Sequence, residues 1–299
     1  MSGVEMLLLH ERSNSEQEPE GGIVQLRSPS RPEARVREDG LPRPARPVAD
    51  LALTALHNLP DFSPGDPLGD ILADALADFA PFDSGDVLVI AQKVVSKVEG
   101  RLRQLDEIAP QAQATELAEH LKKDARLVQA VLDESRRVVR AENGVLIVEH
   151  RLGLIMANAG IDQSNVMQSD GGTILLLPDD PDGSAAALRL EIARHLATAP
   201  AIVIADSIGR PWREGAVGTA IGVSGLPALL DLRGNDDLYG RKLRVTTVAH
   251  ADQLAAAASI LMGQGKEGIP AVLMRGAYAR GPAGAMSDLI RPSGNDLFR

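Results

Sequence analysis

The chain has 299 residues, enough to bury a sizeable core as one large domain or two smaller ones. Its formal net charge of −10 excludes a general nucleic-acid binder, which needs an excess of Lys and Arg on one face to neutralise phosphates. With no Cys, it has no disulfide, thiolate nucleophile, Cys-based zinc site or iron–sulfur cluster. The six His (His10, His57, His120, His150, His195, His250) form no HExxH or other close pair. Metal chemistry would therefore rest on oxygen ligands and a hard cation such as Mg²⁺ or Mn²⁺. No apolar run approaches the roughly 18 residues of a membrane helix, and the early MLLLH is shorter than a signal-peptide core of about 7–15 residues. The expectation is a cytoplasmic protein with neither a membrane nor a nucleic acid as partner.

Residues 1–47, rich in Pro, Arg, Glu, Ser and Gly and without an aromatic residue, read as a disordered extension, with order beginning near Asp50. DVLVIAQKVV (86–95) predicts a β-branched strand after the turn DSGD, and 114–139 predicts one long helix. GVLIVEH (144–150), GLIMA (153–157) and TILLLP (173–178) read as strands. Residues 182–199 read as a helix capped by Asp182 or Ser184. AIVIAD (201–206) is a buried strand ending on an acid. KLRVTTVAH (242–250) is a strand, 251–264 a helix and IPAVLMRG (269–276) a last strand. This mixed order suggests sheets covered by helices.

Three groups could carry chemistry. Asp162 in ANAGIDQSN (157–165) and Asp206 in VIADSIGRPW are acids where strands give way to Gly-containing loops, a way to hold a divalent cation on rigid backbone. Ser207 adds a hydroxyl, and the small residues around Asp162 read as room for close approach of a charged ligand. Either Asp also reads as a turn or helix cap. KVVSKVEGR (93–101) presents Lys93, Lys97 and Arg101 after a strand, suited to nucleotide phosphates or to a solvated charged face. GRPWREG (209–215) sets Arg210 and Arg213 around the only Trp, pointing to an anionic substrate or to plain Arg–Trp stacking. No GxxxxGK[ST] occurs, and no GxGxxG follows a strand, so neither standard phosphate fingerprint is present. MGQGKEGIP (262–270) offers a Gly-rich loop that also reads as a helix C-cap followed by a turn.

Taken in order, LPDFSPGD (59–66), QKVVSKVEGR (92–101), RLGLIMANAGIDQSN (151–165), LLPDDPDGSA (176–185), IADSIGRPWREGAVGTAIGVSGL (204–226), DLYGRKLRVT (237–246) and MGQGKEGIP (262–270) resemble the coenzyme F420-0:L-glutamate ligases. These segments span nearly everything from residue 50 to 276. The resemblance implies an α+β fold in two parts, seen as an intertwined homodimer, with the ligase domain over 48–299. It implies a GTP-dependent amide ligase that adds γ-linked L-glutamate to F420-0 through an acyl phosphate. It places one divalent metal on Asp162 and Asp206 and a second on Ser207 and Gln264, with K⁺ as a further ion. Nucleotide contacts would fall on Leu59, Pro60, Asp61 and Phe62, on Gln92, Lys97 and Asn165, and on Met262, Gly263, Gln264, Gly265, Lys266, Glu267, Gly268 and Ile269. Lys97, Arg210 and Arg213 are the candidates for charge neutralisation and substrate holding, the two Arg from proximity alone. Ser207 stands where Thr is usual, Gln92 where Ser is frequent, and Asn58 where Gly is frequent, although Asn tolerates a left-handed backbone. The same activation machinery would serve a ligase for another amino acid or acceptor. A nucleotide-binding subunit without turnover is the reading from another class.

Overall fold

Short β-branched runs and amphipathic helices assemble around one six-stranded sheet. The computed structural model describes residues 24–25, 51–164, 172–279 and 281–296. In chain order its elements are β1 (Val24–Gln25), β2 (Ala52–Ala55), α1 (Leu68–Leu76), β3 (Val87–Ala91), α2 (Gln92–Val98), β4 (Leu102–Gln104), α3 (Ala112–Leu121), α4 (Ala125–Asp133), β5 (Ser135–Glu142), β6 (Val145–His150), β7 (Ile155–Ala157), β8 (Thr173–Leu175), α5 (Pro181–Leu196), β9 (Ala201–Arg210), β10 (Arg213–Ser224), β11 (Leu229–Asp231), β12 (Thr247–Ala249), α6 (His250–Met262) and β13 (Ala271–Arg275). The main sheet runs β1-β2-β13-β3-β9-β10, with β3 and β9 parallel and every other pair antiparallel. Smaller ribbons pair β4 with β8, β11 with β12, and β5, β6 and β7 in turn.

The central strands are apolar on both faces because both faces are covered. Leu88, Ile90, Ile202, Ile204 and Leu273 meet α1, α2 and α5 through Leu72, Leu76, Val95, Leu188 and Ile192. On the other face Val87, Val89, Val203, Ala205 and Val272 meet Ala251, Leu254, Ala255 and Ala258 of α6. That helix lies so close to β10 that a Cβ on Gly218 would stand 2.4 Å from the Ala255 carbonyl oxygen. A separate core joins α3 and α4 to the β5–β7 ribbon through Ala114, Leu121, Val128, Val131, Leu146 and Val148. The result is the mixed α and β architecture that the element order suggested. Among the described residues, no helix is long and apolar enough to cross a membrane.

Several boundaries differ from the sequence reading, and five of them have a clear physical reason. The predicted strand 86–95 ends at Ala91, and the chain turns at once into α2. The predicted helix 114–139 is two helices and the start of β5. Lys122 breaks it in the left-handed region (φ 55°), and Asp124 caps α4 by accepting from Arg126 N–H at 2.8 Å. Helix α5 starts earlier than expected, on Asp180 with Pro181 at its first position. Asp182 instead accepts from the backbone N–H groups of Val223 and Met286. Strand β9 passes through Asp206 to Arg210, and Pro211 and Trp212 form a two-residue hairpin loop into β10. Only Thr247–Ala249 of the predicted strand 242–250 is strand, because Val245 is 84 % exposed and nothing buries one face of 242–246. Of the extension 1–47, only Val24–Gln25 is described, paired with β2. The expectation of disorder for the remainder lies outside the described residues.

Candidate active site

Helix α2 sets the geometry. In the parallel pair β3/β9, Ala91 faces Ala205, so α2 begins beside the point where β9 delivers Asp206. Lys93 and Lys97 are one helical turn apart and share a face. Lys97 Nζ lies 2.9 Å from Asp61 Oδ1 in the LPDF turn. Lys93 Nζ lies 3.2 Å from Asp162 Oδ1 and donates to Ser164 O at 3.3 Å and to Ser164 Oγ at 2.9 Å. One cationic helix face thus bridges two turns that are about a hundred residues apart in sequence.

The AGID turn owes its small residues to packing. Asn158, Ala159 and Gly160 are all left-handed, with φ of 49°, 53° and 67°. Ala159 is fully buried, and a Cβ on Gly160 would lie 2.8 Å from Met156 Cε and 3.1 Å from Leu177 Cδ1. The reading that these residues make room for a ligand is therefore replaced by a steric one. The turn that they permit presents Asp162, whose N–H and C=O both bond Leu175 at 2.9 Å.

Asp206 retains some solvent exposure, yet protein atoms surround its carboxyl densely. This desolvation, with the charge of Asp162 added, pushes it up to about 6 against the opposing Ser207 N–H and Lys93. Burial also raises Asp162, against Lys93 and Ser164. Among the described residues, two carboxylates that sense one another thus share a single ammonium, Lys93, and the pair is short of positive charge. No group of three or more His, Asp or Glu surrounds them among the described residues. Two acids on rigid backbone suit Mg²⁺ or Mn²⁺, which keep several waters or substrate oxygens rather than taking an all-protein cage. The residues present therefore fit a divalent cation.

Strand alternation separates Ser207 from Asp206. Ile202, Ile204 and Ile208 belong to the core under α1, α2 and α5, whereas Ala201, Val203 and Ala205 belong to the core under α6. Asp206 falls on the α2 face and Ser207 on the α6 face, where Ser207 is exposed. Gln264 is exposed in the loop that follows α6. In that loop Gly263 (φ 69°) ends the helix, as the C-cap reading had it, and Gly265 N–H donates to Glu267 Oε2 at 2.7 Å. Met262 and Ile269 pack partly against the α6 core, while Gly265, Lys266, Glu267 and Gly268 are exposed.

The remaining candidates divide. Asn58 takes φ 60°, the left-handed conformation that its sequence position called for. Leu59 is partly buried, Pro60 and Asp61 are exposed, and Phe62 is packed in the core. Gln92 is 1 % exposed, donating to Ser96 Oγ at 2.7 Å and to Leu176 O, with its own Oε1 unpartnered. Asn165 lies outside the described residues. Arg210 and Arg213 flank the hairpin loop, where Trp212 is 79 % exposed. Arg210 is four residues from Asp206, roughly 13 Å along an extended strand, so the proximity argument for the two Arg does not hold within one chain. Arg101 leaves the phosphate cluster altogether. It is buried against both oxygens of Glu134 (3.0 and 3.1 Å), Asp179 (2.9 Å) and Leu177 O (2.8 Å).

The sequence profile of the family described as F420-0:Gamma-glutamyl ligase matches residues 57–276, which contain Asp61, both acids, both lysines and the Gln264 loop. The chain belongs to this family. Among its relatives, the coenzyme F420:L-glutamate ligase of Methanocaldococcus jannaschii is 43 % identical over 241 residues, covering 81 % of this chain and 94 % of the relative. The enzyme of the same name from Methanopyrus kandleri is 46 % identical over 236 residues (77 % and 92 %), and that from Archaeoglobus fulgidus 45 % over 231 (77 % and 91 %). As a member of the F420-0:gamma-glutamyl ligase family the chain is a ligase.

Proposed function

We propose that this chain joins L-glutamate in γ-linkage to coenzyme F420-0 at the expense of GTP. The observation that carries the reading is the cation-poor pair Asp162 and Asp206, set against the lysine face of α2 inside the family's matched span. Amide formation from a carboxylate in water is uphill, so the carboxylate must first be activated. A carboxylate oxygen of the acceptor, that of F420-0 itself or, for a γ-linkage, the γ-carboxylate of a glutamyl residue it already carries, takes the γ-phosphoryl group, the bond to the GDP oxygen breaks, and an acyl phosphate results. The glutamate amine then attacks the acyl carbon, phosphate leaves with the bonding pair, and the nitrogen loses a proton.

Such transfer asks the protein mainly for positioning and charge neutralisation. A divalent cation held by Asp162 and Asp206 would supply Lewis-acid stabilisation of phosphate oxygens. Ser207, on the opposite strand face, and Gln264, in the loop after α6, would serve a second cation, with K⁺ a further one. Lys97 would neutralise phosphate once released from its exposed partner Asp61, and the LPDF turn and the loop 262–269 would hold the nucleotide. Arg210 and Arg213, remote from the acids of their own chain, would meet substrate anions in a second copy of a cytoplasmic homodimer. Full-length protein incubated with GTP, Mn²⁺ or Mg²⁺, L-glutamate and the deazaflavin precursor is expected to give a product heavier by one or more glutamyl residues. Folded protein that yields no mass increase overturns the reading.

A further inference from the structure

We infer that Lys93 is a resident counter-ion that occupies the acid pair until a divalent cation displaces it, so that the metal-free site is held closed by the chain itself. The inference rests on the divalent-cation reading above and deepens it. Lys93 Nζ is the only cation paired with Asp162 at ion-pair distance among the described residues, and its field also reaches Asp206. Its ammonium is further fixed by Ser164, through both the hydroxyl at 2.9 Å and the carbonyl at 3.3 Å. Three oxygens thus converge on Nζ, as they would on a small hard cation. The Lys93 side chain is only 28 % exposed, and buried Val94 and Val95 anchor the helix that carries it, so it stays near the acids whether or not it is bound to them.

A divalent ion entering at Asp162 must break this ion pair and then tolerate a positive charge close by, and both effects weaken its binding. Lys97, one turn along, is held by Asp61 and leaves the acids to Lys93 alone. A cation that arrives with nucleotide meets a different balance, because the displaced ammonium gains phosphate oxygens as new partners. Lys93 would thereby couple metal binding to nucleotide binding, positive coupling being reciprocal between the two ligands.

The test measures Mn²⁺ affinity of the full-length protein by titration calorimetry, without and with GTP, for wild type, Lys93→Gln, Lys93→Arg and Asp206→Asn. Lys93→Gln is expected to bind Mn²⁺ alone about ten-fold more tightly than wild type, and to show a smaller gain on adding GTP. Lys93→Arg, which keeps the charge, stays within about two-fold of wild type by the same reasoning. In melting experiments Mn²⁺ should raise the transition of Lys93→Gln more than that of wild type, which reports on the site without turnover. Equal or weaker Mn²⁺ binding by Lys93→Gln overturns the counter-ion role, while loss of binding in Asp206→Asn would leave the metal reading standing. Absence of Mn²⁺ binding in wild type and Lys93→Gln alike, with or without GTP, overturns both.

Discussion

Two buried acid clusters in this chain are built in opposite ways. Around Glu134, donors outnumber need: Arg101 bonds both carboxylate oxygens, Arg151 Nε donates at 3.0 Å, and His150 Nε2 stands 3.5 Å away. His150 Nδ1 accepts from Leu152 N–H, which leaves the ring proton on the nitrogen facing the acid. Burial alone would raise Glu134, but His150, Arg151 and Arg101 together hold it down to about 2. At Asp162 and Asp206 burial is equally present and a single lysine answers it, so both carboxyls are raised. A carboxylate supplied with its own cations is a structural joint, here tying α4 and β6 to the Leu177–Asp179 segment. One left short of them is where the cation of the proposed function would be held.

The largest expected effect comes from Asp206→Asn, which should lower ligase turnover by more than about a hundred-fold while making the metal-free protein more stable. Its folded value of about 6 is raised, so its stabilising contribution is complete below the usual carboxylate range and is lost as pH rises through 6. Removing the charge should therefore gain on the order of 2 kcal/mol at pH 7, read by denaturant unfolding with chelator present. An unchanged or lower midpoint would show that the cluster is not short of positive charge. Glu134→Ala should act in reverse, leaving Arg101 and Arg151 without their partner and costing about 3 kcal/mol, with no change in Mn²⁺ affinity. Because Glu134 is depressed, its contribution is present above the usual glutamate range and is lost as pH falls through about 2. Wild-type melting temperature should drop steeply on acidification, and Glu134→Ala should flatten that drop.

Gly160→Val should cost about 2 kcal/mol, since it forces a β-branched residue into a left-handed turn against Met156 and Leu177. Its thermal unfolding, compared with that of Gly209→Val, where a Cβ meets nothing within 4 Å, separates packing from composition. The smallest effect is expected from Asp61→Asn. Asp61 is 81 % exposed, and such a pair contributes under about 0.5 kcal/mol, so the melting midpoint should hardly move. GTP affinity should rise modestly if freeing Lys97 outweighs any contact that Asp61 itself makes, and Lys97→Gln, which should weaken GTP binding, tests Lys97 directly: unchanged affinity there would remove Lys97 from the phosphate set.

Much of this was legible in the chain. The runs VLVIA, AIVIA and AVLM were recognisable as strands because strands covered on both faces are apolar throughout. Asp162, Asp206 and the α2 lysines could be singled out by residue type and spacing. Boundaries failed where the signal was indirect. Lys122 ends a helix without Gly or Pro, and SRRVV passes for helix because β5 is half-buried and bulged. The strand 201–206 was read as ending on its acid, yet β9 runs on to Arg210 because β10 pairs with it. The Glu134 joint was missed entirely, its members being scattered from residue 101 to 179.

By itself the sequence determined which acids and amines this protein owns and which segments must be buried, because periodicity and residue chemistry are local properties. Only the tertiary structure decided which acid meets which cation. Arg101 was drawn inward to Glu134, Lys93 was set on Asp162, and strand alternation placed Ser207 on the face opposite Asp206. Charge balance at a buried site is a sum over neighbours brought from distant parts of the chain, and no stretch of sequence contains that sum.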